Sequence, residues 1–332
     1  MKKQKIGLIV TALLIISLAA GCSINDDGQD SAANQEEPIS VTIAGLNGPT
    51  SIGMIKMIDE NALNSETYNV EYVTENTPDA LTGKIINGDV QISSVPINLA
   101  SVLYNKTVGN IQLLCVNTIG NLYIVGTDDI KTVSDLEGKT IGMSGKGATP
   151  DYAMNYILKQ NGLEGKVNLD YSAEHATLAQ SVIAEDTKTA LLPQPFVTQV
   201  TMKNSNVKML VDLNEAWKNA TSDASRLYTG CIVVNKEFAK NNKEFIDNFL
   251  KQYEASVSWV LKNQADAAAL TEKNGIMRNA AMVEKAIPYC GIKFIPAQDE
   301  KEGLKNFYKV LFDSNPASIG GKLPDDAFYF AE

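Results

Sequence analysis

The sequence predicts two α/β domains, each a parallel-type sheet with helices on its faces. Three observations predict it. Strand-like and helix-like segments alternate from residue 39 to residue 235, the pattern of crossover units that join parallel strands. The alternation falls into two blocks, followed by a long helical stretch. The chain has 332 residues, 44% of them hydrophobic, enough to build two cores.

The first block opens with a strand at 39–45. Residues 50–63 place Ile52, Met54, Ile55, Ile58 and Ala62 at helical spacing, and 68–74 alternate as a strand. Thr77 and Pro78 open a helix over 78–87 with Leu81, Ile85 and Ile86 on its inner face. Gly88 and Asp89 turn into a strand at 90–94, and Pro96 starts a helix over 96–105. Strands at 111–117 and 122–126 follow, rich in β-branched and aromatic residues. The second block predicts strands at 140–143, 167–171, 189–192 and 207–212, with helices at 149–161, 175–184 and 195–203 between them. A strand at 229–235 ends it. Everything after is expected to be helical: 237–239, 243–262, 265–274, 279–287 and 298–313.

The N-terminal segment has a different logic. Lys2, Lys3 and Lys5 precede an apolar run at 6–20 that ends Leu18-Ala19-Ala20-Gly21-Cys22. A charged start, a short apolar core and small residues at the cut define a secretory signal. The run is short of the roughly 20 apolar residues that cross a bilayer. Residues 23–38 hold one large aliphatic residue, Ile24, among Asp, Glu, Asn, Gln and Ser; such a segment buries too little surface to offset its ordering entropy. A signal at 1–21 and a flexible tether at 22–38 are expected. The residues before Cys22 resemble the lipobox of bacterial lipoproteins, which implies lipid on the Cys22 thiol and a membrane anchor on the extracytoplasmic face. The alternative is an ordinary secretory signal that abuts a cysteine.

Charge and cysteine content exclude several function classes. Net charge is −10, and loss of Lys2, Lys3 and Lys5 leaves 26 basic against 39 acidic residues, or −13. A body that acidic repels phosphate backbones, so no nucleic-acid partner is expected. Cys115 and Cys231 sit in apolar strand text, where cysteine acts as a small hydrophobe. Cys290 makes the remaining number odd, and whether any disulfide forms stays open. With no Cys-x-x-Cys pair and one histidine, neither a metal nor a cofactor is expected.

Several phrases, taken in order, carry a family resemblance. They are Gly45-Leu46-Asn47-Gly48-Pro49-Thr50; Gly88-Asp89-Val90 with Val95-Pro96-Ile97-Asn98; Ser134-Asp135-Leu136-Glu137-Gly138-Lys139-Thr140-Ile141-Gly142; Gly145-Lys146-Gly147-Ala148-Thr149-Pro150; and Leu191-Leu192-Pro193-Gln194-Pro195-Phe196. Their order and spacing over about 290 positions resemble the type II periplasmic-binding-protein fold, in the nitrate/sulfonate/taurine-type group that also holds thiamine-precursor binders. The resemblance implies two α/β domains with mixed, mostly parallel sheets and a ligand cleft between them. It implies a first domain of 39–125 and 230–332, with 126–229 inserted and the strands 122–126 and 229–235 crossing over. It further implies a monomer that captures a small-molecule solute and presents it to the permease subunits of an ABC importer. No phosphate-binding loop with Lys-Ser/Thr is present, so ATP hydrolysis would belong to other subunits.

In open α/β sheets ligands bind outside the carboxyl ends of the strands, where helix N-termini offer free N–H groups. Three loops fit. The first holds Asn47, Gly48, Thr50 and Ser51; the second Pro96 and Asn98; the third Gly147, Ala148 and Thr149. Gln194 and Phe196 follow the strand 189–192, so they too lie at a carboxyl end. Gln194 offers a donor and an acceptor, and Phe196 a stacking face that serves equally as core. For each hydroxyl the alternative is a helix cap without ligand. His175 is assigned a structural role. Sulfonate binders often show Gly-Ser-Thr-x-His at the third loop, whereas here Asp151 takes the histidine's place. Only Arg226 and Arg278 exist in the chain, so no arginine clamp for an anion is visible. A neutral, zwitterionic or heterocyclic solute is expected.

Two other readings stand beside this one. An enzyme on the same fold, of the menaquinone- or thiamine-biosynthesis kind, would need a base and nucleophile that the sequence does not display. A sensor or adhesin lipoprotein would use the same fold to signal or attach.

Overall fold

The computed structural model describes residues 37–331. The expected signal, Cys22 and the tether up to residue 36 lie outside the described residues. In chain order the elements are β1 (Ile39–Leu46), α1 (Pro49–Ile52), α2 (Ile55–Asp59), β2 (Tyr68–Glu75), α3 (Pro78–Asn87), β3 (Ile92–Pro96), α4 (Ile97–Lys106), β4 (Ile111–Ile119) and β5 (Leu122–Gly126). Then come β6 (Thr140–Gly142), α5 (Thr149–Gln160), β7 (Asn168–Asp170), α6 (His175–Ile183), β8 (Thr189–Pro193), α7 (Phe196–Lys203), β9 (Lys208–Asp212) and α8 (Leu213–Ala220). The chain ends with β10 (Tyr228–Asn235), α9 (Lys236–Asn241), α10 (Lys243–Lys262), α11 (Gln264–Lys273), α12 (Ala280–Ala286), β11 (Ile292–Pro296) and α13 (Lys301–Ser314).

Local chemistry accounts for the boundaries. The Thr77 hydroxyl caps α3 by accepting from Ala80 N–H at 3.4 Å, and Gly88 ends it at φ 83°, where a side chain would be strained. Asp212 caps α8 through the N–H groups of Asn214 and Glu215. That helix lay unread in the sequence, although Leu213, Ala216, Trp217 and Ala220 hold helical spacing. The helix expected over 50–63 is broken into α1 and α2. Gly53 lies at the break, and a Cβ there would stand 2.8 Å from the Tyr253 hydroxyl and 3.2 Å from Val257. The glycine admits α10 at close range. The expectation that everything after β10 is helical is corrected by β11, which pairs antiparallel with β4.

Two sheets result, with strand orders β11-β4-β10-β3-β1-β2 and β7-β6-β8-β5-β9. In the first, β1, β2, β3 and β4 run one way, while β10 and β11 run the other. In the second, β6, β7, β8 and β9 run one way and β5 opposes them. The sheets are therefore mixed and mostly parallel, as expected. The strand β5, which the division at residue 125 assigned to the first domain, pairs only with β8 and β9 of the second sheet. Sheet membership thus changes at Gly120-Asn121, and changes back where β10 begins at Tyr228.

A continuous apolar core runs through both sheets on one side, from Val95, Val116 and Val233 through Trp217 and Phe307 to Ile124 and Leu191. A second core fills the far face of the first sheet around Ile232, Phe249 and Ile287, and a third the far face of the second around Val125 and Leu192. Cys115, Cys231 and Cys290 are free and buried. Cys115 and Cys231 belong to cores on opposite faces of one sheet, because strand side chains alternate, so these two are not placed to bridge.

Candidate functional site

The loops at the carboxyl ends of both sheets meet. Thr149, the first residue of α5, donates its hydroxyl to Asn98 Oδ1 at 3.3 Å, and Asn98 stands in the first turn of α4 under the other sheet. Thr149 is buried, and Ala148 holds the N-cap position with no side-chain cap, so the Thr149 hydroxyl is not spent on its own helix. Pro96 is the half-buried N-cap of α4. Two of the residues singled out in the sequence are thus brought into direct contact across the two sheets.

In the first loop the roles divide. Ser51 is fully buried and gives its hydroxyl to Leu46 O at 2.6 Å, which is a structural use. Gly48 is buried at φ 144° with nothing within 4 Å of where a Cβ would be. Asn47 is exposed and donates to Asn76 Oδ1 at 2.8 Å. Thr50 is half-buried, and its carbonyl is gripped from below: Ser94 Oγ donates to it at 2.8 Å and Asn117 Nδ2 at 3.0 Å. Asn117 Nδ2 also reaches Ser94 Oγ at 2.7 Å, and the Thr118 hydroxyl donates to Asn117 Oδ1 at 3.0 Å. Sequence reading missed Ser94, Asn117 and Thr118. Polar residues inside the otherwise apolar strands β3 and β4 were the available signal.

In the second sheet, Gln194 is 2% exposed. Its Oε1 accepts from Thr198 N–H at 3.2 Å and from the Thr198 hydroxyl at 2.8 Å, while its Nε2 is buried with no partner among the described residues. A buried donor left without a partner costs about 1–3 kcal/mol. Gln194 N–H is tied to Asn121 O, in the strand-to-strand crossing, at 2.9 Å. Phe196 is half-buried and stacks on His175, centroids 5.6 Å apart and planes 27° apart. The Ser144 hydroxyl meets His175 Nδ1. Burial pushes the imidazole's pKa below its ordinary value, against a smaller upward pull from Glu174, so the ring is neutral at pH 7. Ser144 follows the carboxyl end of β6, the rule that found Gln194, and went unread. Gly147 is exposed and donates its N–H to Asp151 Oδ2 at 2.7 Å; Ala148 is half-buried.

Among the described residues, none of the five main cavities, of 310 to 840 Å³, is lined by a residue singled out for ligand. The largest lies by Leu250, Phe294 and Phe330, and another of 630 Å³ lies between α5, α13 and the segment that follows α8. The third loop meets the second directly, through Thr149 and Asn98. The loop at Gln194 holds the unpartnered buried donor instead. Among the described residues no cluster fits a metal ion, and no helix is long and apolar enough to cross a membrane.

Comparison with known proteins agrees with this layout. A family model described as NMT1/THI5 like matches residues 69–267. No curated protein matches the chain. Among solved structures, an ABC transporter protein from Parabacteroides distasonis is similar at 24% identity, covering 88% of this chain and 99% of that one, with a TM-score of 0.75. The periplasmic aliphatic sulphonate binding protein SsuA from Escherichia coli follows at 15% identity, covering 89% and 92%, with a TM-score of 0.71. The periplasmic nitrate-binding protein NrtA from Synechocystis PCC 6803 shares 10% identity over 79% and 74%, with a TM-score of 0.55. At these identities the likeness shows the fold, that of type II periplasmic-binding proteins.

Proposed function

The chain belongs to the NMT1/THI5-like family, and we propose that it captures a small solute between its two sheets and delivers it to an ABC importer permease. The observation that carries this reading is the Thr149–Asn98 hydrogen bond, which joins carboxyl-end loops of both sheets. The unpartnered Nε2 of Gln194 supports it, since a solute acceptor would satisfy that donor. We take the two sheets as two lobes, with crossings at Gly120-Asn121 and just before Tyr228. The lobes part to admit solute, and solute contacts to both then favour the joined form. The structural neighbours' names, for an ABC transporter protein and for sulphonate and nitrate binding, support capture as the role.

The solute is neutral, zwitterionic or heterocyclic. Arg226 is engaged with Glu300 at 3.3 Å, and the carbonyl-and-amide chemistry around Gln194 and Asn98 carries no charge. Cys22 anchors the protein by lipid on the extracytoplasmic face, as a monomer. The protein does no chemistry on the solute. Ser144 against His175 is the pair that would argue otherwise, but among the described residues no side-chain hydrogen bond orients the other ring nitrogen, the third member that activates such pairs.

A thermal-shift screen of the mature protein against sulfonates, amino acids, pyrimidines and vitamins tests capture. A solute at 100 times its Kd stabilises the native state by about 2.7 kcal/mol. No shift across the panel sinks the reading, and turnover of a solute by the protein alone replaces it with an enzyme. Membrane fractionation of Cys22→Ala tests the anchor: the variant leaves the membrane fraction, and one that stays there with a lipid-modified N-terminus refutes it.

A further inference from the structure

We propose that Met202 and Met209 form an oxidation site on the seam between the two sheets, and that the sulfoxide at Met202 loosens Gln194 by drawing away the Thr198 hydroxyl. The two methionines are 43% and 41% exposed. Among the described residues the other thioethers are shielded: Met54, Met57, Met143 and Met154 are buried, and Met277 and Met282 are half-buried. The described thiols offer an oxidant less. Cys115, Cys231 and Cys290 are buried, and burial pushes each above its ordinary pKa, Cys290 to about 12, so none supplies the thiolate that oxidants attack. Both exposed methionines line one groove of 450 Å³. One wall is Thr198 and Met202 of α7 with Met209 of β9, on the side of the second sheet; the other is Gln264, Pro288 and Tyr289, beside helices that pack on the first. Tyr123 of β5 ties the walls together. Its hydroxyl donates to Tyr289 O at 3.2 Å, and the two rings meet edge to face with centroids 6.5 Å apart.

Hydrogen peroxide is the co-reactant. The methionine sulfur gives a lone pair to one peroxide oxygen, an S–O bond forms as O–O breaks, and the proton on the transferred oxygen passes to the departing hydroxide, which leaves as water. The sulfur loses two electrons and the peroxide gains them. A weak acceptor thereby becomes a polar S=O group. In an α-helix a long side chain leans back toward the N-terminus, over the residue four positions earlier. For Met202 that residue is Thr198. The Thr198 hydroxyl and N–H hold Gln194 Oε1 at 2.8 and 3.2 Å. A sulfoxide oxygen over Thr198 competes for that hydroxyl, and Gln194 loses one of the two bonds that orient its amide. Met209 stands on a strand and has no such lever. The modification stands without the capture reading; only an effect on solute affinity rests on that reading, through Gln194.

The test treats the mature protein with hydrogen peroxide, weighs its peptides and follows Thr198 amide exchange by NMR. Met202 and Met209 gain oxygen first. The four buried methionines lag by at least about tenfold, which an opening cost of about 1.4 kcal/mol already gives. The Thr198 N–H lies in the first turn of α7, with no carbonyl of its own helix to meet, so it reports on Gln194. After oxidation it exchanges about three- to tenfold faster, the worth of one neutral hydrogen bond, and methionine sulfoxide reductases for both epimers restore it. Oxidised Met202→Leu, close in volume, shows no acceleration, and oxidised Met209→Leu shows it in full. Unoxidised Met202→Gln, polar and of similar length, reproduces it. The proposal is overturned if Met277 or Met282 oxidises before Met202 or Met209, if oxidation leaves Thr198 exchange unchanged, or if oxidised Met202→Leu accelerates too. Should Met202→Leu fail to fold by circular dichroism, the other two variants decide: faster exchange in both supports the proposal, and anything else overturns it. Failure of the capture reading looks different. A protein that no solute stabilises, yet whose Thr198 amide answers to the Met202 sulfoxide, loses capture and keeps the oxidation site. A protein that a solute stabilises, while Thr198 ignores the sulfoxide, does the reverse.

Discussion

Gly230→Ala tests whether the polar network beneath the Thr50 loop is rigid. Gly230 lies in β10 opposite Pro96 of β3 and Thr118 of β4. A Cβ there would stand 2.5 Å from Asn117 Oδ1, 2.8 Å from Thr50 Cγ2 and 3.1 Å from Thr118 Oγ1. The first two distances are shorter than real contacts allow, so something must move. Asn117 can retreat only by loosening its bonds to Thr50 O and Ser94 Oγ, worth about 1 kcal/mol each. Overpacking a filled site costs roughly 1–3 kcal/mol, and the stiffer unfolded chain of alanine returns about 0.4–1 kcal/mol. The net expectation is a loss of about 0.5–2.5 kcal/mol in urea-induced unfolding, with an unchanged m-value. Gly83→Ala is the control. It lies exposed inside α3 with nothing within 4 Å of its Cβ position, and alanine there adds roughly 0.5–1 kcal/mol. A Gly230→Ala protein within about 0.5 kcal/mol of the original, inside the range of ordinary surface changes, would falsify the rigid-network argument.

Three further outcomes are expected. Thr149→Ala weakens binding of whichever panel member shifts the melt by about three- to tenfold, for one neutral hydrogen bond; a loss of apo stability with intact affinity, in paired unfolding and titration experiments, refutes the ligand role. His175 is the single histidine in the chain, so its ring titrates alone in an NMR spectrum. Its folded pKa is held down by burial, so between that value and the unfolded value of about 6.5 the unfolded chain binds more protons. The contribution is complete above about pH 6.5 and is lost as pH falls toward the folded value, and His175→Gln removes that slope; identical pH–stability curves refute it. Val108 is 94% exposed at φ 53°, a backbone region that costs a β-branched residue about 1–2 kcal/mol and suits asparagine. Val108→Asn therefore raises the unfolding free energy by about 0.5–1 kcal/mol, and a fall on denaturant melting contradicts the strain.

Where local signals were strong, the sequence sufficed. Thr77-Pro78 and Gly88 delimited α3, and the long amphipathic run of 243–262 became α10 without adjustment. Where a distant partner decided, it did not. The need for glycine at position 53 is set by Tyr253 and Val257, two hundred residues on, and no window around Gly53 contains them. The strand β11 exists because β4 offers it an edge; its five residues follow a helical stretch whose period masked the change. The sheet that β5 joins was illegible for a related reason, since β5 is an apolar strand that suits either sheet and only its partners β8 and β9 choose.

The site shows the same division. Single residues at carboxyl ends were legible, because strand-then-helix order places them; Asn98, Thr149 and Gln194 came from that rule. What each does with its hydrogen bonds was not legible. Ser51 and Thr149 are both hydroxyls at the opening of a helix, yet one is spent on Leu46 O and the other reaches Asn98 across the sheets. The difference arises from backbone geometry that composition does not encode. Gln194 matters through a negative property, a buried Nε2 that nothing meets, and that appears only when Thr198 is seen to hold the other end of the amide.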